Sequence, residues 1–385
     1  MTGAPHVFLV AGEESGDRLG AALIAAIRKR VPEARFSGVG GTHMAAEGVV
    51  SVFPLGDLAI VGIVAIAASL SKILARIEAA AAAVVAAKPD VLVIIDSPDF
   101  THRVARKVRA RAPQIPIIDY VCPSVWAWRP GRARAMRGYV DHVLALLPFE
   151  PDAMARLNGP PTTFVGHPLA EQVALLRPNA HDVQRRPADP PLLLVLPGSR
   201  SAEIRRLAQI FGETVALIAE RFGPLEVVVP TVPRLAAAVQ ATTSTWRVPA
   251  RIVTDADDKH AAFRAARAAL SKSGTSTLEL ALAGVPTVAA YKVPLVEELV
   301  ARAIIKVPSV ILANLVLGEN VVPEFLQRAC TPAALSAALL PLLGNTPERA
   351  RQLTAFARLD GLMGVGQAAP SDRAAEIVLS QTRRL

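Results

Sequence analysis

Short unbroken apolar runs, each closing in a small-residue turn and followed by a helix-patterned stretch, constrain the fold of this chain more than any other feature. Val7-Phe8-Leu9-Val10-Ala11, Val91-Leu92-Val93-Ile94-Ile95 and Leu192-Leu193-Leu194-Val195-Leu196 show no polar alternation. Both faces of such strands must be covered, which is the pattern of parallel sheets packed between helices. Ile115 to Tyr120, Val140 to Leu146, Glu226 to Val229, Arg251 to Thr254 and Thr287 to Tyr291 read as further strands, and Ala268-Ala269-Leu270-Ser271 leads into another turn of the same kind. Leu19 to Arg30 reads as the first helix, with Leu23, Ile24 and Ile27 on one face. A chain of 385 residues exceeds what one core usually holds, so two α/β domains are expected. Between Arg177 and Pro191 the composition shifts to Pro, Arg and Asp, early in the second domain. The expected architecture is two Rossmann-like halves facing a cleft, residues 1–168 and 169–361, with a C-terminal helix in 362–385 packing back on the first. Ligands of such folds sit beyond the carboxyl ends of the strands.

A formal net charge of +9 fits nucleic acid, acidic lipid headgroups or phosphorylated small molecules. Aromatic residues make up only 4% of the chain, with no Arg/aromatic alternation to form a base-stacking groove, so nucleic acid is the weakest of the three. Cys122 and Cys330 belong to no C-x-x-C or His-rich cluster, which points to a reducing compartment without structural zinc. No basic n-region and cleavage pattern precedes Val7, so no secretory signal is expected. The fourteen uncharged residues between Asp57 and Lys72 fall short of the ~20 that a spanning helix needs. A soluble or peripheral protein is expected.

A strand that ends in a Gly/Ser turn and opens a helix presents backbone N–H groups at the positive end of the helix dipole. Two such turns, Pro197-Gly198-Ser199-Arg200 and Ser273-Gly274-Thr275-Ser276-Thr277-Leu278-Glu279, suggest a phosphorylated ligand. After the first, Ile204, Leu207, Ala208, Phe211, Val215 and Ile218 fall on one stripe, predicting an amphipathic helix with Ser201 near its start. Arg200 then either holds a phosphate by two bonds and stabilises a leaving diphosphate, or is a solvated first-turn arginine. In the second turn Ser276 and Glu279 stand at capping-box spacing, so Glu279 either caps that helix or receives the two hydroxyls of a ribose.

In the first half, Ala11-Gly12-Glu13-Glu14-Ser15-Gly16-Asp17 lacks the G-x-G-x-x-G spacing, and its carboxylates would repel a diphosphate. They suit sugar hydroxyls; the alternative is that Gly12 and Gly16 merely allow a tight turn while Asp17 caps the helix. Asp96-Ser97-Pro98-Asp99-Phe100 follows the Val91 to Ile95 strand. A carboxylate at that strand's end stands where a general base would, unless Asp96 and Asp99 only hold a turn around Pro98. Asp255 and Asp257 read as a helix cap, so no metal is expected.

These segments, with Pro123-Ser124-Val125-Trp126-Ala127-Trp128-Arg129, Leu147-Pro148-Phe149-Glu150 and Gly166-His167-Pro168, occur in the order seen in lipid A disaccharide synthases. The chain resembles that family over essentially its whole length. The resemblance implies an inverting glycosyltransferase of the two-Rossmann GT-B fold, needing neither cofactor nor metal. Such an enzyme transfers 2,3-diacylglucosamine from UDP to the 6-hydroxyl of 2,3-diacylglucosamine 1-phosphate, giving the β-1,6 disaccharide and UDP. The likeness further implies Asp96 as base, Arg200 on the UDP phosphates, Glu279 in the nucleotide site and Asn314 at the cleft. Gly198, Ser199, Ser273, Gly274 and Thr275 fall on the UDP-sugar side; Gly12, Glu13, Ser15, Gly16, Asp17, Asp99 and Trp126 fall on the acceptor side. It also implies a cytoplasmic protein, peripheral on the inner membrane, and allows a homodimer. Glu14, Thr42, Cys122 and Ala313 depart from the family pattern without removing a proposed catalytic group.

Both implied sugars carry acyl chains. Ile63, Ile66, Leu70, Ile73, Leu74 and Ile77 recur at helical spacing with Lys72 and Arg76 among them, as on a membrane-touching helix or a core face. Arg103, Arg106, Lys107, Arg109 and Arg111, and Arg129, Arg132, Arg134 and Arg137, either attract anionic headgroups or stay hydrated. Two other readings stay open: a different UDP-sugar enzyme of the same architecture, and a noncatalytic lipid or nucleotide carrier, which would need no base at Asp96.

Overall fold

The computed structural model describes residues 4–58, 66–180, 182–294, 298 and 307–382. The chain divides into two compact units, Met1–Pro168 with Gln367–Leu385, and Leu169–Gly366. Each is built on a six-stranded sheet in which every pairing is parallel. In the first unit β1 (His6–Ala11), β2 (Arg35–Val39), β3 (Val91–Ile95), β4 (Ile117–Tyr120), β5 (His142–Ala145) and β6 (Thr162–Phe164) lie in the order β2-β1-β3-β4-β5-β6. The pleat sends Phe8, Val10, Leu92 and Ile94 to one face, against Ile77 and Val84 of the helix Ile66–Ala87 and Val104 and Val108 of the helix Pro98–Arg111. Val7, Leu9, Val93 and Ile95 face the other way, onto Leu23, Ile24 and Ile27 of the helix Glu14–Arg30 and onto Ala374 and Val378 of the helix Pro370–Thr382. Arg30 fastens that last helix by donating to Asp372 (2.6 Å) and Glu376 (2.9 Å).

In the second unit β7 (Leu192–Leu196), β8 (Glu226–Pro230), β9 (Ala250–Val253), β10 (Ala268–Lys272), β11 (Thr287–Tyr291) and β12 (Glu324–Leu326) lie in the order β12-β11-β10-β7-β8-β9. The stripe Ile204, Leu207, Phe211, Val215 and Ile218 of the helix Ser201–Phe222 covers Leu193, Val195 and Leu270, while Phe263 and Leu280 pack with Leu192, Leu194 and Ala269. Arg186, in the Pro/Arg-rich stretch, donates to the main-chain oxygens of Phe263, Arg264, Ala283 and Gly284. These are the carboxyl ends of two helices, where a cation is favoured, so part of the basic excess is structural.

β2, β6 and β12 contain no unbroken apolar run and were invisible to that criterion. All three are edge strands, which are short and partly polar because one side has no neighbour to cover it. The first helix begins at Glu14 rather than Leu19, so Ser15, Gly16 and Asp17 are helical.

The proposed membrane stripe is corrected in part. Ile63 lies outside the described residues, as do the side chains of Ile66 and Leu70. Ile73 packs against the core and Ile77 is buried within it, leaving Leu74 exposed at 46%. Lys72 (2.7 Å) and Arg76 (2.6 Å) both bind Asp57, and the Lys72 hydrogen bond, then that of Arg76, holds its carboxyl below the usual range. Among the described residues no helix is long and apolar enough to cross a membrane. Several expected surface cations are also engaged: Lys107 and Arg111 bracket Glu78 (2.9 and 2.6 Å), Arg109 pairs with Asp141, and Arg132 with Asp99 (2.9 Å).

In each sheet the unit's first strand has its successors on opposite sides, β1 between β2 and β3, and β7 between β8 and β10. The connections diverge there and open a crevice at the carboxyl edge. Ala11 is level with Ile95, Ile95 with Tyr120, and Leu196 with Ser271. The turns at Gly12 and Asp96 therefore emerge side by side in one unit, and those at Pro197 and Ser273 in the other.

Candidate active-site residues

Asp96 leaves β3 with φ +55, followed by Ser97 at +47. Two consecutive non-glycine residues in the left-handed region cost about 1–3 kcal/mol each. The Asp96 N–H donates to Tyr120 O (3.1 Å), the Ser97 N–H to Asp96 Oδ1 (2.7 Å) and the Thr101 hydroxyl to Asp96 O (2.7 Å), which together hold the turn. Pro98 opens the following helix. Ser15 Oγ lies 3.0 Å from Asp96 Oδ2 and 2.7 Å from Glu13 Oε1, and its single proton serves one at a time. Gly12 is required by contact: a Cβ there would stand 2.3 Å from Ser97 Cβ, and one on Gly16 would stand 3.0 Å from Ile95 O. A cavity of about 830 Å³ adjoins these residues, walled by Gly12, Glu13, Ser97, Leu55 and Leu58 among others.

Asp17 does not cap its own helix, although it stands among the residues that wall this cavity. It is buried, and its carboxylate accepts the N–H groups of Gly41 (2.7 Å), His43 (2.9 Å) and Met44 (3.1 Å), anchoring the neighbouring helix Thr42–Ala46. Asp99 is exposed and holds Arg132. Glu14 is exposed and pairs with Arg18. Trp126 donates to buried Glu150 (3.2 Å) and meets Phe149 edge-on at 5.0 Å, which fixes its indole. Burial pushes the Glu150 carboxyl up to about 7, against the pull of the Leu147, Trp126 and Leu146 hydrogen bonds. A buried chain that sequence spacing does not reveal lies close by: His102 Nε2 is 2.9 Å from Asp119 Oδ2, and His102 Nδ1 is 3.1 Å from the Tyr139 hydroxyl. Burial raises the Asp119 carboxyl, His102 lowers it, and the charge of Asp96 adds to the rise.

In the second unit a cavity of about 450 Å³ is lined by Gly198, Ser199, Arg200, Lys259, Lys272, Gly274, Thr275 and Ser276, with Leu196 and Pro230 to Val232. In the Pro197 turn the N–H groups of Ser199 and Arg200 are already taken. Glu203, buried at the third position of its helix, accepts from Ser199 N (3.0 Å), Arg200 N (3.2 Å), Arg200 Nη1 (3.2 Å) and Lys272 Nζ (3.1 Å). Burial alone would raise this carboxyl, but Lys272, the Ser199 N–H and Arg200 outweigh it and hold it below the usual range. Gly198 has φ +132, and a Cβ there would strike Glu203.

The Gly274 turn behaves differently. Its helix, Thr275–Leu282, has no side-chain cap, so the N–H groups of Thr275 and Ser276 have no side-chain acceptor. The capping-box alternative for Glu279 is not realised: Glu279 pairs with Lys259 at 2.6 Å. Ser273 turns away, its hydroxyl donating to Val310 O (3.0 Å). Asn314 is buried with its amide spent internally, donating to Ser309 Oγ (3.2 Å) and Val322 O (2.9 Å) and accepting from Val321 N (3.0 Å) and Val322 N (2.8 Å). Thus Gly198, Ser199, Arg200, Gly274 and Thr275 line one cavity, while Ser273, Glu279 and Asn314 are not part of its lining. Lys259, Lys272 and Glu203 escaped the sequence reading; only Glu203, three residues after Arg200, carried a local signal, the capping-box spacing. Asp255 accepts from Asp257 N (2.8 Å) and Asp258 N (3.2 Å) as a helix cap, and no cluster of metal-ligating side chains occurs among the described residues.

A family model described as lipid-A-disaccharide synthetase matches residues 7–377. The lipid-A-disaccharide synthase of Nitrobacter hamburgensis is 60% identical over 375 residues, 97% of this chain and 95% of its own length. That of Rhodopseudomonas palustris (strain HaA2) is 57% identical over 385 residues, 100% and 98% of the two chains. Among solved structures, Acinetobacter baumannii MurG superposes with a TM-score of 0.58 at 16% identity, covering 98% of this chain and 99% of its own. A UDP-N-acetylglucosamine 2-epimerase from Neisseria meningitidis, bound to UDP-GlcNAc, gives 0.61 at 12%, with 97% and 98% covered. At these identities the likeness establishes a common fold and no more.

Proposed function

We propose a division of labour that follows from one premise: this chain belongs to the lipid-A-disaccharide synthase family. It is a hexosyltransferase of lipid A synthesis with a GT-B fold. Its donor, UDP-2,3-diacylglucosamine, lays its diphosphate against Arg200, Lys259 and Lys272 and on the uncapped N–H groups of Thr275 and Ser276, with Glu279 toward the ribose. Its acceptor, 2,3-diacylglucosamine 1-phosphate, is held at the Gly12–Asp96 crevice. The 6-hydroxyl oxygen attacks the anomeric carbon, the bond to the UDP phosphate breaks with its electron pair leaving on UDP, and the hydroxyl proton passes to Asp96. A positioned base of this kind contributes typically ~10²–10⁴-fold, and fixed cations act where charge develops on the leaving group.

The observation that carries this reading is the convergence of three cations on one cavity at a helix start with no side-chain cap, an arrangement suited to a diphosphate. Incubation with the two diacyl sugars and identification of equimolar disaccharide and UDP tests it. Conversion of the UDP-sugar without acceptor would favour an epimerase, and tight binding without turnover a carrier. The acyl chains put the work at a lipid surface: the protein acts peripherally on the cytoplasmic face of the inner membrane, with the exposed Leu74 toward lipid. Flotation with anionic liposomes, lost on Leu74→Asp, tests that placement.

A further inference from the structure

The loop leaving β4 carries a cationic, aromatic cluster outside the machinery described above. Its starting point is fixed, since the Asp96 N–H donates to Tyr120 O at 3.1 Å and the loop rises from the next residue, beside the candidate base. Its backbone is held in unusual conformations, Val121 at φ +95 and Arg129 at φ +53, which a side-chain-bearing residue adopts at a cost. Trp126 is pinned by Glu150 and Phe149. Two guanidinium groups meet Trp128, with Arg129 Cζ 4.4 Å and Arg132 Cζ 5.7 Å from its ring centroid.

Arg132 is 15% exposed and aimed by a 2.9 Å bond to Asp99 Oδ1. Arg129 is exposed; its main-chain oxygen accepts the Arg132 N–H (2.9 Å), and among the described residues its guanidinium meets only the indole. A guanidinium lying on an aromatic face keeps its outward N–H fork unspent, and that fork matches two oxygens of a phosphate. The left-handed backbone at Arg129 therefore presents a braced, unpaired guanidinium, beside a second one, next to the strand end that bears Asp96.

We propose that Arg129 and Arg132, braced on Trp128, form the subsite for the anomeric phosphate monoester of the acceptor sugar. The proposal rests on the reading that the acceptor is a sugar 1-phosphate. A phosphate monoester carries about −1.5 to −2 charges at neutral pH, enough to engage both arginines while Asp99 keeps Arg132 in place. A membrane phosphodiester offers the same oxygens with less charge, and the test separates the two sources.

The test uses the full-length protein in neutral detergent micelles, with diacylglucosamine acceptors with and without the 1-phosphate. The wild-type preference for the phosphorylated acceptor, as a ratio of kcat/KM values, is expected to fall about 10- to 100-fold in Arg129→Ala, the range of one charge-assisted bidentate contact, and to recover in part in Arg129→Lys. Calorimetric binding of the phosphorylated acceptor, read without turnover, is expected to weaken to the same degree. An unchanged preference with unchanged binding in Arg129→Ala overturns the subsite. So does an unchanged preference accompanied by weaker flotation on phosphatidylglycerol vesicles relative to phosphatidylcholine, which would assign the arginines to headgroups. If wild type binds the acceptor but forms no disaccharide, the activity reading fails, while the binding comparison still decides the subsite.

Discussion

Glu203→Gln isolates what the buried carboxylate under the Pro197 turn contributes. The substitution keeps the shape and a carbonyl for the Ser199 and Arg200 N–H groups but removes the charge facing Lys272 and Arg200. The Glu203 side chain is 10% exposed and that of Lys272 17%, whereas Arg200 lies 76% in solvent, so the Lys272 pair carries the loss. A hydrogen bond to a charged group is worth about 1.5–3 kcal/mol, and breaking a fully buried pair costs about 3–5 kcal/mol. Lys272 reaches an open cavity, which places the expected loss near the lower range, about 2–3 kcal/mol. For a domain of this size each kcal/mol moves Tm by about 2–4 °C, so the variant should melt about 4–12 °C lower. Because the folded carboxyl lies below its unfolded value, this stabilisation is present above the ordinary carboxylate pKa of about 4.3 and disappears as pH falls through the folded value. Thermal melts of Glu203→Gln, Lys272→Met and the double variant should give a coupling energy within about 0.5–3 kcal/mol. A Glu203→Gln melt within 1 °C of wild type, or single effects that simply add, would refute the reasoning.

Three further outcomes follow from buried contacts. The Glu150 carboxyl, pushed up to about 7, retains in the fold a proton that the unfolded chain has lost. Its contribution is therefore full below the unfolded pKa and falls as pH rises to about 7, and Glu150→Gln should flatten the urea-midpoint profile across that window. Asp17→Ala leaves the N–H groups of Gly41, His43 and Met44 without their acceptor, the last of them buried, and should cost about 1–3 kcal/mol in urea unfolding; an unchanged midpoint contradicts the anchoring role. Gly12→Ala should destabilise through its clash with Ser97 Cβ by about 1–3 kcal/mol, and Ser97→Gly in the same chain should restore most of the loss by removing that atom.

Central strands and their turns were legible because continuous hydrophobicity is the direct consequence of burial on both faces. Val91 to Ile95 and Leu192 to Leu196 appear in the structure at the limits the sequence suggested. The edge strands carry no such pattern, and β12, Glu324–Leu326, reads as loop. Charges whose meaning depends on long-range register were equally opaque. Nothing near Lys272 in sequence says that it meets Glu203 across the β7–β10 pairing, or that Lys259 reaches Glu279 from the preceding helix. Asp17 reads as a helix cap in sequence because local spacing cannot reveal that the Gly41–Met44 backbone arrives to bond it.

The central claim is that Asp96 takes the acceptor proton while a separate cationic cavity holds UDP. The most direct measurement is disaccharide formation and UDP affinity on a single preparation of Asp96→Asn. The account predicts a UDP Kd equal to wild type with turnover reduced about 10²–10⁴-fold. Turnover near the wild-type rate, or UDP binding lost together with activity, would contradict it.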